Sequence, residues 1–189
     1  MKLPRKPFAW KLGRRNFIFE NAWIELQLID AKDPNKNPAE YGLVHFKNLA
    51  IGIVPYENGH IWIVGQSRVS SESYSWEIAA GGGDPSIDPL ESAARELKEE
   101  TGFSAKRFQP IVEMETSNSV TDERAIIFLA TGLIPGESAP ESSEDISVMK
   151  ISLEDAILAV NKGEIRHSLG VAAIYKLALM QKNGELDGL

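Results

Sequence analysis

GGGDPSIDPLESAARELKEETGF, residues 81–103, decides how this chain is read. Three glycines hand over to a segment with full helix punctuation: Asp88 as N-cap, Pro89 at the first helical position, Glu91 three residues after the cap, Gly102 as the stop. On a wheel of about 100° per residue, Leu90, Ala94, Leu97 and Thr101 form the stripe predicted to face a core, and Glu96, Glu99 and Glu100 share a flank. Like charges at i,i+4 destabilise a helix by a few tenths of a kcal/mol, and carboxylates near its C-terminus oppose the macrodipole. Arg95 can reach Glu91 or Glu99 at i±4, which leaves Glu96 and Glu100 for another cation. A hard divalent ion suits them, since magnesium takes oxygen ligands and is often held by one or two carboxylates with substrate phosphates completing its shell. The plain alternative is a solvated acidic face. The glycine-rich strand exit argues against it, because it brings backbone N–H and C=O groups close to the carboxylates.

Upstream, "FIFENAWIELQLI" (17–29) reads as one or two strands, and "AKDPNKNPAEYG" (31–42) as a loop. "LVHFKNLAIGIVP" and "IWIVGQ" are strand-rich runs around Asn58-Gly59, the strongest short hairpin signal, so a β-meander is expected. "YSWEIAA" is a further strand ending at Gly81. Downstream, strands are expected over residues 105–115, 124–133 and 146–151. A helix capped by Ser152 with Asp155 then runs to Gly163, and a second covers 168–182 with Val171, Ile174, Tyr175 and Ala178 on one face. Strands before, between and after a central helix describe an α/β (α+β) fold, a mixed sheet with helices on its faces.

A chain of 189 residues supports one sizeable core. The formal charge of −7 argues against nucleic acid or anionic membrane as the main partner. Lys2, Arg5, Lys6, Lys11, Arg14 and Arg15 nevertheless make residues 1–16 a basic arm, without the apolar stretch of a targeting peptide. There is no cysteine, so disulfides, zinc fingers and thiol nucleophiles are excluded, and any metal must be held by oxygen or histidine. No apolar run reaches the roughly 18 residues of a membrane span, which points to a soluble, cytoplasmic protein. His45, His60 and His167 lack metal-binding spacing and read as structural or exposed; Trp76 reads as core.

From Gly81 through Arg95-Glu96-Leu97-Lys98-Glu99-Glu100-Thr101-Gly102-Phe103 the spacing resembles the Nudix box, G-x5-E-x7-R-E-U-x-E-E-x-G-U with U apolar. One position departs: Ile87 stands where the family has a glutamate, and Glu91 is the candidate to support Arg95 in its place. "VGQSR", "WEIAAGGGDP", "TDERAIIFLA" and "KGEIRHSLGVAAI" are similar to the ADP-ribose pyrophosphatase and nucleoside diphosphate sugar hydrolase branch. The resemblance implies a Nudix-type α/β/α sandwich over residues 41–189, preceded by N-terminal strands over 17–40 that a homodimer exchanges.

It further implies magnesium-dependent hydrolysis of a nucleotide-sugar diphosphate bond, with manganese as a substitute ion. Glu96 and Glu100 become metal ligands with the Ala80 carbonyl, and Glu99 a further metal or metal-water partner with a catalytic role. Gly81, Arg95 and Gly102 become structural supports, Arg68 a phosphate contact, and Glu77 and Glu123 substrate-binding or orienting residues. The water-activating base is expected in "GESAPESSEDISV", where Glu141 and Glu144 are the candidates and Asp145 the third. Two other functions use the same residues: hydrolysis of nucleoside triphosphates or dinucleoside polyphosphates, and a nucleotide-sugar sensor without catalysis.

Overall fold

Alternating apolar residues in the first third of the chain pair into a small sheet. In the computed structural model, which describes residues 2–138 and 145–189, Lys11–Glu20 (β1), Ile24–Lys32 (β2) and Pro38–Phe46 (β3) form an antiparallel sheet in the order β1-β2-β3. β1 begins at Lys11, within the basic stretch. Lysine and arginine suit an edge strand whose side chains are almost all exposed, and Arg15 Nη1 donates to Gln27 Oε1 at 2.9 Å.

The expected loop over 31–42 is mostly strand, and only residues 33–37 turn. Asp33 closes that turn by accepting from Asn37 N and Nδ2 at 2.8 and 3.0 Å, and these bonds hold its carboxyl below the usual range. Pro38 opens β3 at an end position, where a missing N–H is tolerated. The segment Ser117–Glu123 belongs to this unit, through Val44 N to Val120 O at 2.9 Å, Phe46 N to Asp122 Oδ1 at 3.0 Å, and His45 Nδ1 to Asp122 Oδ2 at 2.6 Å.

The second unit, Asn48–Thr116 with Arg124–Leu189, holds a seven-stranded mixed sheet. Leu49–Glu57 (β4), His60–Arg68 (β5), Ser104–Glu115 (β8), Arg124–Ile134 (β9) and Ser147–Ser152 (β10) run in the order β10-β5-β4-β9-β8. Ser73–Glu77 (β6) pairs with β5 and Ala79–Gly83 (β7) with β4. β4 and β9 are parallel, so the meander expectation holds only for the first hairpin, where Asn58 and Gly59 take φ of 48° and 76°. The "YSWEIAA" strand is two strands broken at Ile78, and the glycine run is not a turn: Gly81, Gly82 and Gly83 stand in β7 against Ile51, Ala50 and Leu49.

Among the described residues three α-helices cover the sheet: Pro89–Thr101 (α1), Leu153–Asn161 (α2) and Ser168–Lys182 (α3). The two-residue period of β9 builds both layers. Ala125, Ile127 and Leu129 pack with Leu153 and Ala156 of α2 and with Ile174 and Leu177 of α3; Phe128 and Ala130 pack with Ala93 and Leu97 of α1. This is the α/β/α sandwich expected from the sequence. α3 buries Leu169, Gly170, Ala173, Ile174, Leu177 and Met180, with Tyr175 exposed, so the expected stripe was rotated toward solvent. Among the described residues no helix is long and apolar enough to cross a membrane.

Candidate active site

The site is assembled where α1 lies along β7. Asp88 accepts from Leu90 N at 2.9 Å and starts α1 at Pro89; Gly102, at φ 76°, ends it by donating to Lys98 O at 3.0 Å. The buried face is Ser92, Ala93, Glu96, Leu97, Glu100 and Thr101, while Leu90 is exposed. The expected stripe of Leu90, Ala94, Leu97 and Thr101 is thus corrected by about one residue's rotation, which carries two carboxylates inward.

Buried carboxylates are costly unless partnered, and each of these has a partner. Glu100 accepts the Ala80 N–H at 3.0 Å. In an extended strand a residue's N–H and C=O turn to the same edge, so the Ala80 carbonyl shares the edge that faces Glu100. Glu96 lies over Gly81: a Cβ there would sit 2.1 to 2.3 Å from all three atoms of its carboxyl group. Glycine at 81 therefore serves close approach, in an ordinary strand conformation.

Arg95 ties the flank together. Nη2 donates to Glu96 Oε1 at 2.6 Å and to the Gly82 carbonyl at 3.0 Å, and Nη1 donates to Glu99 Oε2 at 2.7 Å. Burial alone would lower its pKa; the charges of Glu96 and Glu99 outweigh that and raise it. The expectation that Arg95 leaves Glu96 unengaged is corrected, because adjacent side chains converge on the Gly82 carbonyl. Support for Arg95 comes from that carbonyl, with Glu91 and Ile87 both exposed on the helix entry. Nothing in the wheel marks this bond, since it runs from helix to strand.

Glu96, Glu99, Glu100 and the Ala80 carbonyl offer an oxygen-only donor set at one helix-strand junction, which fits a hard divalent cation. Among the described residues no three acidic or histidine side chains are gathered as a finished metal cage. Glu96 and Glu99 are turned onto Arg95, and Glu100 onto Ala80 N.

On β5 and β6, Arg68 forks onto Glu77, with Nε to Oε1 at 3.0 Å and Nη2 to Oε2 at 2.6 Å. The Glu77 side chain is 3% exposed and that of Arg68 38%. Burial pushes the Glu77 pKa up, but the Arg68 hydrogen bond, the charge of His167 and the Ser75 hydrogen bond bring it below the usual range. His167 Nδ1 stands 3.6 Å from Glu77 Oε2, so this histidine is joined to the site's charges rather than isolated. The sequence carried no signal of it, because the contact spans ninety residues. Glu123 falls in the N-terminal unit, on the Ser117–Glu123 segment. Glu141 and Glu144 lie outside the described residues, and Asp145 is exposed.

The NUDIX domain family model matches residues 46–169, a span that includes α1, β7, Arg68 and Glu77. The ADP-ribose pyrophosphatase of Bacillus subtilis (strain 168) is 32% identical over 166 residues, covering 87% of this chain and 90% of that protein. The methanol dehydrogenase activator of Bacillus methanolicus is 28% identical over 178 residues, covering 93% of this chain and 96% of its own. A crystal structure of an ADP compounds hydrolase superposes with a TM-score of 0.85 at 19% identity, covering 97% of this chain and all of that one, a likeness of fold. The box spacing, the clamped carboxylates and the family match over most of the chain converge: this chain belongs to the Nudix family of hydrolases.

Proposed function

We propose that this Nudix hydrolase cleaves the diphosphate bond of a nucleoside diphosphate sugar, ADP-ribose or a close relative, to a nucleoside monophosphate and a sugar phosphate. The observation that carries the reading is the α1–β7 junction, where Glu96 is held against Gly81 and Glu100 against Ala80 N–H. The substrate class is supported by the name and 87% coverage of the Bacillus subtilis relative.

Glu96, Glu99, Glu100 and the Ala80 carbonyl would hold the divalent ion, magnesium in the first instance with manganese as a substitute. Such an ion neutralises phosphoryl oxygens and lowers the pKa of water. Arg95 keeps the carboxylates in register before substrate arrives. Arg68, fixed by its fork onto Glu77, presents a cation to a phosphate. Glu141 or Glu144 takes the proton of the attacking water; wild-type turnover in both Glu141→Gln and Glu144→Gln at saturating magnesium would exclude that assignment.

For the quaternary structure we propose a homodimer joined through the N-terminal strands. Leu12, Phe17, Ile18, Phe19 and neighbouring Trp23 are exposed along β1, an apolar surface that a second copy would cover. A monomer in analytical ultracentrifugation at micromolar concentration would refute this.

The function is tested with a substrate panel followed by product chromatography. ADP-ribose should give AMP and ribose 5-phosphate in equal amounts, with one water consumed per turnover. Activity confined to nucleoside triphosphates or dinucleoside polyphosphates would overturn the sugar reading. Tight binding of ADP-ribose without metal-dependent turnover would establish a sensor instead.

A further inference from the structure

Where β4, β9 and β8 run side by side, Tyr56, Thr131 and Arg107 form one row of side chains. Thr131 stands directly opposite Arg107, and opposed residues of antiparallel strands share a face. In the parallel pair Val54 stands beside Leu129, so the two-residue period brings Tyr56 beside Thr131 on that same face. The row lines a cavity of about 350 Å³ together with Asn58, Lys106 and Gly132. We infer that this cavity binds a small oxyanion, a phosphate or carboxylate group, at a site separate from the α1–β7 junction. Ile51 of β4 pairs with Gly81, and Tyr56 lies roughly 17 Å further along the strand at the usual rise per residue.

Both cations reach the cavity because the strand pairing is broken beside them. A regular strand turns successive side chains to opposite faces, so Lys106 and Arg107 would ordinarily point apart. Gly132 interrupts the alternation with a φ of 67°. A Cβ there would meet Lys106 Cβ at 3.0 Å and its Cγ and Cδ at 3.3 Å, so the lysine stem lies across the glycine. Glycine at 132 thus supplies the left-handed backbone and the clearance that the second cation needs. Among the described residues no carboxylate oxygen lies within 4.0 Å of the Lys106 ammonium or the Arg107 guanidinium, that of Glu57 on the cavity lining included.

The two hydroxyls of the row point the same way. Tyr56 and Thr131 are 4% and 6% exposed. Among the described residues neither hydroxyl has a hydrogen-bond partner, and neither is sealed from solvent. A nearly buried hydroxyl without a partner is costly. An oxyanion in the cavity would accept from both hydroxyls while the two cations balance its charge. The segment that closes the cavity is anchored: Asn58 N donates to Leu189 O at 3.1 Å, and Leu186 is 3% exposed in the layer beneath α2 and α3.

Amide NMR of the intact protein in chelator tests the site, with sodium phosphate and sodium acetate as probes and ionic strength held constant with sodium chloride. Either probe should shift the Asn58, Thr131 and Gly132 resonances saturably. Tighter phosphate marks a phosphate-ester site and tighter acetate a carboxylate site. Arg107→Gln should weaken binding about tenfold, the worth of a charge-assisted hydrogen bond, and Tyr56→Phe, which keeps the ring, about threefold. Arg68→Gln, at the site proposed for the diphosphate, should leave this binding unchanged. Shifts that never saturate, or that are unaltered in both Arg107→Gln and Tyr56→Phe, overturn the inference. Neither result bears on the diphosphate reading, which the inference does not use.

Discussion

The Glu96 carboxylate lies directly over Gly81, so that a Cβ at 81 would meet its carbon and both oxygens at 2.1 to 2.3 Å. Those atoms are the far end of a flexible side chain, and Gly81 has no unusual φ to protect. Gly81→Ala should therefore fold with a loss of less than about 1.5 kcal/mol, in the range of tolerated volume changes. Its kcat should drop about a hundredfold, since a carboxylate displaced by about 1 Å is enough for that. Denaturant unfolding beside steady-state kinetics checks the split, and retention of full activity would remove Glu96 from the site.

Arg95 stands among carboxylates that would otherwise repel one another, with bonds to Glu96, Glu99 and Gly82. Its side chain is 47% exposed, so solvent screening keeps the cost of Arg95→Ala to about 1 kcal/mol. A lysine offers a point charge where a planar fork spans two carboxylates, so Arg95→Lys should recover less than half of that cost. Thermal unfolding of the three proteins in chelator orders them.

If Glu96 and Glu100 hold a divalent ion, magnesium or manganese should raise the melting temperature through binding to the folded state only. At a hundredfold excess over Kd the gain is about 2.7 kcal/mol. Glu96→Gln and Glu100→Gln should each lose most of the increase, and Glu99→Gln, whose side chain is 33% exposed, should lose less. Equal shifts in all four proteins would place the ion elsewhere.

Much of this was legible in the sequence because the signals were local. Asp88, Pro89 and Gly102 bounded α1, Asn58-Gly59 set the hairpin, and the box spacing put three glutamates on one flank. Contacts between distant segments were not legible. Which side of α1 is buried depends on β7, where Gly81 leaves room for the Glu96 carboxylate that a Cβ would displace. Strand content over 31–42 was hidden by prolines and asparagines that occupy the tight turn at 33–37 and the first position of β3. His167 carried no metal spacing, and its link to Glu77 exists only once α3 lies beside β6.

Glu77 also fixes a pH dependence of stability. Its folded pKa lies below the ordinary carboxylate value, since Arg68, His167 and Ser75 outweigh burial. The ionised form is thus favoured by folding, and the contribution is complete above the unfolded value of about 4.3 and lost as pH falls through the folded one. Glu77→Gln should cost about 1 to 2 kcal/mol near neutral pH, less than for a fully buried pair because Arg68 can rehydrate. The difference between the two proteins should shrink as pH drops below about 4. Urea unfolding at several pH values checks this, and a difference that grows toward acid would reverse the assignment.

The end of α1 offers a controlled comparison between backbone strain and packing. Gly102 and Gly163 both adopt left-handed backbone, with φ of 76° and 73°. Around Gly163 nothing lies within 4 Å of a built Cβ, so Gly163→Ala should pay only the conformational penalty of about 1 to 2 kcal/mol. At Gly102 the Cβ would meet Gly136 O at 2.7 Å and Ser138 N at 2.9 Å, both backbone atoms that cannot swing aside. Lys98 Nζ adds to the junction by donating to Gly102 O at 3.1 Å. Gly102→Ala should therefore cost about 1 to 3 kcal/mol more than Gly163→Ala, the usual range for overpacking. Equal losses in guanidinium unfolding would mean that the 136–138 backbone does not rest on the helix end.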